Sequence, residues 1–347
     1  MVKRLRNSLR VARAVILTDL HLRSDYMPGY LDMQVETFTR LVNTKPPDTV
    51  IINGDIFHRR NPKGAELLAF RRLLEGFKTK EILINRGNHD TIAKDGSTET
   101  TLSLFSDIAT IFSETTTHRI GSVDFDFIPH YEDESKIIQD LRGSTNHVFG
   151  HWGFDGCVAN GSYEYESYVK RSHIGNRRLC FLGHIHKPKI YGKNIFVLGT
   201  AHSTSFGEAN AQKYIHELLV RDGVVEVVRK PIDFGIRHVT CTLDSLEDYS
   251  KRFRFDSFFT ILRLKLDTLD TAVEKELYEQ IGKKYPIQHL EISFEDVLHK
   301  YDSNHETSER VFTLDDAVVG DYIDASESPF SKAELMSMLD EIKSHEN

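Results

Sequence analysis

The chain has 347 residues, 39% hydrophobic and 28% charged, ordinary globular usage that excludes a disordered protein, a collagen-like fibre and a coiled-coil rod. Its formal charge of −8 is unevenly placed: residues 241–347 hold 12 Lys+Arg against 24 Asp+Glu, which leaves +4 on residues 1–240 and removes the objection to a nucleic-acid partner there. No run approaches the ~18 apolar residues that span a bilayer, and three scattered cysteines, Cys157, Cys180 and Cys241, form no CxxC pair, so no membrane, a reducing cytoplasmic setting and three partly buried thiols are expected.

A basic arm (Lys3, Arg4, Arg6, Arg10, Arg13) opens the chain as residues 1–13. The apolar stretch behind it, Ala14 to Leu17, is shorter than the ~7–15 residues of a signal peptide. Alternating strands and helices then follow to about residue 236. Ala14–Thr18, Thr49–Asn53 and Glu81–Asn85 read as strands, each running into a loop with Asp, Asn or Gly. Leu31–Val42 and Gly64–Phe77 carry apolar residues at helical spacing, and Leu102, Phe105, Ile108, Ala109 and Phe112 predict a third amphipathic helix. Ser122–Ile128, His147–Phe149, Leu179–Leu182 and Ile195–Leu198 read as further strands, and Asp222-Gly223 as the turn of a hairpin. A boundary near Pro231–Arg237 opens a small α+β unit over 237–300, with strands at His238–Leu243 and Phe258–Leu266 and a helix at Ala272–Lys284. Residues 301–347 read as a polar acidic linker and a helix, Ser331–His345, with a Ser331/Glu334 capping box and an apolar stripe at Leu335, Met338, Leu339 and Ile342. A helix separated from its core by such a linker predicts a protein partner.

The chemistry lies in five strand-end loops: Asp19-x-His21, Gly54-Asp55-x-x-His58, Gly87-Asn88-His89-Asp90, Gly150-His151 and Gly183-His184-x-His186. In an α/β sheet such loops converge at the carboxyl edge. Carboxylate, imidazole and amide without thiolate suit hard to borderline divalent ions, manganese, iron or zinc, with magnesium also admissible. Two ions ~3.5–4 Å apart need a bridging ligand, and Asp55 is the natural bridge; such a pair activates water and clamps phosphoryl oxygens. His89, beside Asn88, is the candidate proton donor for the leaving alkoxide. His58 either contacts the scissile phosphate or helps place His89, or else caps its loop, and Asp90 is grouped with these two as catalytic. Arg59, Arg60 and Lys63 are candidate phosphate contacts or a solvated basic loop.

In this order the five motifs resemble those of the calcineurin-like metallophosphoesterases over roughly residues 14–205. The resemblance implies an α/β fold, a two-sheet sandwich flanked by helices. It places one metal on Asp19, His21, Asp55 and His186, the other on Asp55, Asn88, His151 and His184. More narrowly, Gly54 to Pro62 with its second histidine, Ile128-Pro129-His130-Tyr131, Gly150-His151-Trp152 and Gly199-Thr200 … Ser205-Phe206-Gly207-Glu208 resemble the SbcD-type DNA repair and recombination nucleases, above all the phage type. Ala201-His202 departs from that branch, where a proline is common. This narrower resemblance implies a manganese-dependent double-strand exonuclease and single-strand endonuclease, acting as a homodimer with an SMC-like coiled-coil ATPase, in the host cytoplasm if phage-encoded. It also implies a capping domain after residue 236, an ATPase-binding segment at the end, and dimerisation through the helices at 64–77 and 97–112. A small-nucleotide phosphodiesterase or phosphatase, which shares every metal ligand, remains the alternative.

Overall fold

Strand β1 (Ala12–Leu17) pairs in parallel with β2 (Thr49–Asn53), β2 with β3 (Glu81–Asn85), and β3 with the short β4 (Thr110–Phe112). The computed structural model that shows this describes residues 11–294, apart from 93–97, 145, 160–163, 176–178 and 267–270. β5 (Thr116–Ile120), β6 (Val123–Ile128) and β7 (His147–Gly150) begin a second sheet, and β8 (Cys157–Val158) and β9 (Glu164–Tyr165) form a separate ribbon. β10 (Cys180–Leu182), β11 (Lys189–Tyr191) and β12 (Ile195–Val197) complete the second sheet in the order β11-β12-β10-β7-β6-β5. The hairpin β13 (Tyr214–Arg221) and β14 (Val224–Pro231) returns to the first sheet, where β13 lies antiparallel on β1. This is the α/β two-sheet sandwich that the motifs imply.

The central strands of the first sheet carry apolar runs, Ala14–Leu17, Val50–Ile52 and Ile82–Ile84, because both of their faces are covered. Ala14, Ile16, Ile51 and Leu83 face the second sheet's Phe125, Phe127, Phe149 and Phe181. The alternate residues, Val15, Leu17, Val50, Ile52 and Ile84, pack on Phe38 and Leu41 of α1 (Tyr30–Asn43) and on Phe70 and Leu73 of α2 (Gly64–Gly76). α3 (Glu134–Gly143) covers the second sheet through Ile137 and Leu141. Two buried asparagines at strand ends join the sheets: Asn53 Nδ2 donates to the Gly150 carbonyl at 2.8 Å and Asn85 Nδ2 to the Ile128 carbonyl at 3.3 Å, while Asn85 Nδ2 also ties to Asn53 Oδ1 at 3.0 Å. The carboxyl edges of both sheets are thereby locked together.

After the turn α4 (Arg171–Ile174) and the hairpin, a third sheet follows. Its strands β15 (Gly235–Thr242), β16 (Phe258–Leu266) and β17 (His289–Phe294) are parallel, with α5 (Leu246–Arg252) and α6 (Thr271–Lys284) between them. Ile236, Phe259 and Ile261 of this unit pack with Tyr26, Tyr30 and Met33, so its inner edge joins the segment after Asp19-x-His21.

Four expectations change. The helix over 97–112 is a 3-10 turn, Thr101–Phe105, followed by β4; its apolar spacing of three is met by a tight turn and an edge strand. Arg13 belongs to β1 rather than to a free arm, and its guanidinium meets Glu217 at 2.9 and 3.0 Å. The third sheet starts at Gly235, slightly before the expected residue. The three cysteines are free thiols, as expected, but buried fully rather than in part. Residues 1–10, the expected linker 301–330 and the expected helix over 331–345 lie outside the described residues; among the described residues, no helix is long and apolar enough to cross a membrane.

Candidate metal centre

The first two loops continue the parallel ladder beyond the strands: Asp19 N–H donates to Gly54 O at 2.9 Å, His21 N–H to Asp55 O at 3.1 Å, and Leu22 N–H to Ile56 O at 2.8 Å. Asp19, His21, Asp55 and His184 all adopt left-handed backbone, with φ of 51°, 45°, 52° and 76°. Such conformations cost on the order of 1–3 kcal/mol each and persist where the surroundings enforce them. Here they turn side chains from the strand ends into one cluster. Gly54 and Gly87 allow the closeness: a Cβ on Gly54 would overlap the His151 ring, and one on Gly87 would overlap the Asp55 carboxylate.

The cluster has two centres. On one side, His21 Nε2 lies 3.0 Å from His186 Nε2 and 3.8 Å from Asp55 Oδ2, while His186 Nε2 lies 3.7 Å from Asp19 Oδ1. On the other, His151 Nε2 lies 3.2 Å from Asp55 Oδ1, and His184 Nδ1 lies 2.9 Å from Asn88 Oδ1. Asp55 therefore offers one oxygen to each centre. Asp19, Asp55 and His151 are buried, whereas Asn88, His89, His184 and His186 are half-buried on the open side.

These residues fit divalent cations. His151 Nδ1 bonds the Asn53 carbonyl at 2.6 Å, which leaves Nε2 buried, without a hydrogen-bond partner and aimed at Asp55. Burial alone would lower the His151 pKa, but Asp55 and Asp19 offset it and raise it to about 10. Burial likewise favours a neutral Asp55, yet His151 holds its carboxyl well below the usual range. In His184, burial followed by repulsion from His151 lowers the pKa to about 3, so it stands as a neutral donor. A cation shared by these groups satisfies the buried carboxylates and the imidazole lone pairs together.

Around the centres, His89 Nδ1 bonds the His58 carbonyl at 2.7 Å, and its Nε2 stands 4.0 Å from Asp55 Oδ2. The His58 ring lies 5.7 Å from that of His21 and 6.3 Å from that of His89. Its carbonyl, not its imidazole, places His89. Arg59 pairs with Asp25, and Arg60 pairs with Glu132 at 2.9 Å; Lys63 is exposed at the start of α2.

Asp90, expected among the catalytic groups, turns away from the cluster. Its carboxylate accepts from the backbone N–H groups of Gly87 (2.8 Å), Asp55 (2.9 Å) and Ile56 (3.0 Å), clamping the second and third loops together. Asp90→Ala leaves three buried donors unpaired, so a stability loss of at least about 3 kcal/mol is expected in denaturant unfolding. A loss below 1 kcal/mol would remove the clamp role.

Sequence reasoning assigned no roles to several neighbours. His130 stacks on His184 with ring centroids 6.2 Å apart, and Tyr165 meets His184 edge-on at 5.4 Å. Glu208 Oε1 lies 2.8 Å from His186 Nδ1. The Ser205-Phe206-Gly207-Glu208 stretch was legible as a motif, but nothing in it showed which ligand it supports.

A family profile described as calcineurin-like phosphoesterase matches residues 12–188, half of the chain. The chain belongs to this family and is a metal-dependent phosphoesterase. No curated protein matches it. Among solved structures it is similar to a conserved uncharacterized protein of Streptococcus pneumoniae TIGR4, described as a predicted phosphoesterase, with 16% identity, 64% of this chain and 91% of that one covered, and a TM-score of 0.32. It is also similar to the purple acid phosphatase PPD1 of yellow lupin, Lupinus luteus (14%, 64% and 52%, TM-score 0.41), and to the Pseudomonas putida nuclease MPE (14%, 62% and 87%, TM-score 0.31).

Proposed function

We propose that this chain is a DNA nuclease that hydrolyses phosphodiester bonds, cleaving double strands from their ends and single strands internally, as the nuclease subunit of an assembly with a coiled-coil ATPase. One observation carries the reading: the His58 carbonyl holds His89 with its Nε2 beside the bridging carboxylate Asp55. Alkoxide leaving from an unactivated diester needs a proton at that moment, and a half-buried imidazole at the open edge of the centre can deliver it. The ions, manganese by preference, would be held by Asp19, His21, Asp55 and His186 and by Asp55, Asn88, His151 and His184; they supply Lewis acidity for phosphoryl transfer. The loop that carries His58 also carries Arg59 and Arg60, and Lys63 follows it, so basic groups flank the centre.

The ATPase partner is supported by the amphipathic pattern of residues 331–345. A second copy is supported by Leu68 and Leu104, 67% and 60% exposed; Leu68 lies one turn before Arg71, whose guanidinium reaches the Leu104 carbonyl.

The test is cleavage of end-labelled double- and single-stranded DNA by the purified chain with Mn²⁺, alone and with the candidate ATPase. Metal-dependent cleavage is expected. Hydrolysis of a small nucleotide diester, with DNA intact under both conditions, would sink the nuclease reading in favour of a nucleotide phosphodiesterase.

A further inference from the structure

The imidazoles of the two centres are not backed alike. His151 Nδ1 rests on a neutral backbone carbonyl, that of Asn53 at 2.6 Å. His184 uses Nδ1 toward Asn88 inside the cluster, and His21 Nδ1 is buried without a hydrogen-bond partner. His186 alone among the four has a carboxylate behind it, Glu208 Oε1 at 2.8 Å from Nδ1.

That carboxylate is a built feature. Glu208 is 5% exposed and Lys213 is 4% exposed, so both are sealed from water. Lys213 Nζ bonds Glu208 Oε2 and also the Thr200 hydroxyl at 2.6 Å. The Thr200 hydroxyl donates to Glu208 Oε2 at 2.7 Å, and the Thr204 hydroxyl donates to Oε1. Every oxygen of the carboxylate is thus committed, and one commitment runs to a metal ligand. A buried ion pair of this kind is weak as a stability device, since hydrophobic replacements commonly match it. Its geometry is that of the carboxylate–histidine–metal arrangement, in which the outer carboxylate selects the tautomer and raises ligand basicity.

We infer that Glu208, kept ionised by Lys213, is a positioning residue that holds the proton of His186 on Nδ1, presents Nε2 as the donor, and so makes the Asp19–His21–His186–Asp55 centre the tighter of the two. The inference rests on metal binding by the family's motif residues and is independent of the DNA substrate. Lys213 acts through Glu208, and Thr200 and Thr204 orient it.

The test is Mn²⁺ titration of the metal-free full chain by calorimetry, comparing wild type with Glu208→Gln/Lys213→Met. The double variant removes both charges together, so neither is left buried alone. The tighter of two Mn²⁺ sites is expected to weaken by about 10–100-fold, with the other site within a few-fold of wild type. Two sites at wild-type affinity in the folded double variant, or equal weakening of both, overturns the inference.

A second measurement needs no variant. In wild type labelled with ¹⁵N-histidine and loaded with Zn²⁺, His186 is expected to show a protonated Nδ1 and a metal-shifted Nε2. An unprotonated Nδ1 on His186 overturns the role of Glu208 even if the double variant fails to fold. Restoring Glu208 alone, in Lys213→Met, is expected to leave the tight site weakened. Recovery of wild-type affinity there would show that Lys213 has no part.

Discussion

Asp55→Ala is expected to abolish both metal sites at once and to lower kcat/KM for phosphodiester hydrolysis by at least about 10³-fold. The reason is the placement of its two oxygens. Oδ1 lies 3.2 Å from His151 Nε2 in one centre, and Oδ2 lies 3.8 Å from His21 Nε2 in the other. Asp19 Oδ1 also lies 3.8 Å from His151 Nε2, but that is the same oxygen that stands 3.7 Å from His186; among the described side chains of the cluster, Asp55 is the one that turns a separate oxygen to each imidazole set. The loop itself should survive, because Asp90 anchors the backbone N–H groups of residues 55 and 56, which the substitution leaves in place. Metal content per chain, read with the circular dichroism spectrum, separates loss of ligation from loss of fold. A folded Asp55→Ala protein that retains two manganese equivalents would show that the ions do not share this carboxylate. Asp19→Ala provides the contrast. Asp19 turns only Oδ1 to the imidazoles, His186 at 3.7 Å and His151 at 3.8 Å, and takes the His184 N–H at 3.2 Å; with no second oxygen for the other centre, its loss should weaken the His21–His186 site most.

Much of this centre was legible in the sequence because its geometry is local. A short apolar run followed by Asp, Asn or His marks the carboxyl end of a parallel strand: a strand buried on both faces reads as a continuous apolar run, and its length of about four to six residues is too short for a helix. The pairing of β1, β2 and β3 then brings loops from residues 19, 55 and 88 together with no further information. The region 102–112 misled for the converse reason. Leu102 and Phe105, then Ala109 and Phe112, are three apart, which a 3-10 turn and a short strand satisfy as well as a helix; the parallel pairing of Thr110–Phe112 with β3 decides it. Asp90 misled because a carboxylate next to a ligand has the composition of a catalytic group, while its direction toward three backbone amides is purely tertiary. The role of the Glu208–Lys213 pair was hidden, although Glu208 lay in a legible motif, because the pair gains meaning only when the chain after the fifth ligand loop folds back behind His186. α3 and α5 escaped notice because short polar helices, with Ile137 and Leu141 or Leu246 as their buried residues, carry little periodicity.

His89→Ala is expected to keep both metals and lose about 10²–10⁴-fold in cleavage of an unactivated DNA diester. The same variant should stay within about 10-fold of wild type on a diester with a nitrophenolate leaving group, whose departure needs little proton assistance. The prediction follows from two contacts. Nδ1 is engaged by the His58 carbonyl at 2.7 Å, so only Nε2 can serve the reacting groups. The side chain is 35% exposed, which gives Nε2 access to a substrate oxygen at the open edge. Nε2 also lies within 4.8 Å of ligand atoms of His21 and Asp55, so the metal content of the variant decides between donor and ligand. Loss of a metal equivalent would assign His89 to ligation; equal losses on both substrates would remove the proton-donor role. His58→Ala is the necessary companion. It retains the backbone carbonyl that orients His89, so any loss it shows belongs to the His58 imidazole itself. A His58→Ala enzyme as slow as His89→Ala on DNA, yet equally slow on the nitrophenyl diester, would place the His58 ring on the phosphate rather than on the leaving group.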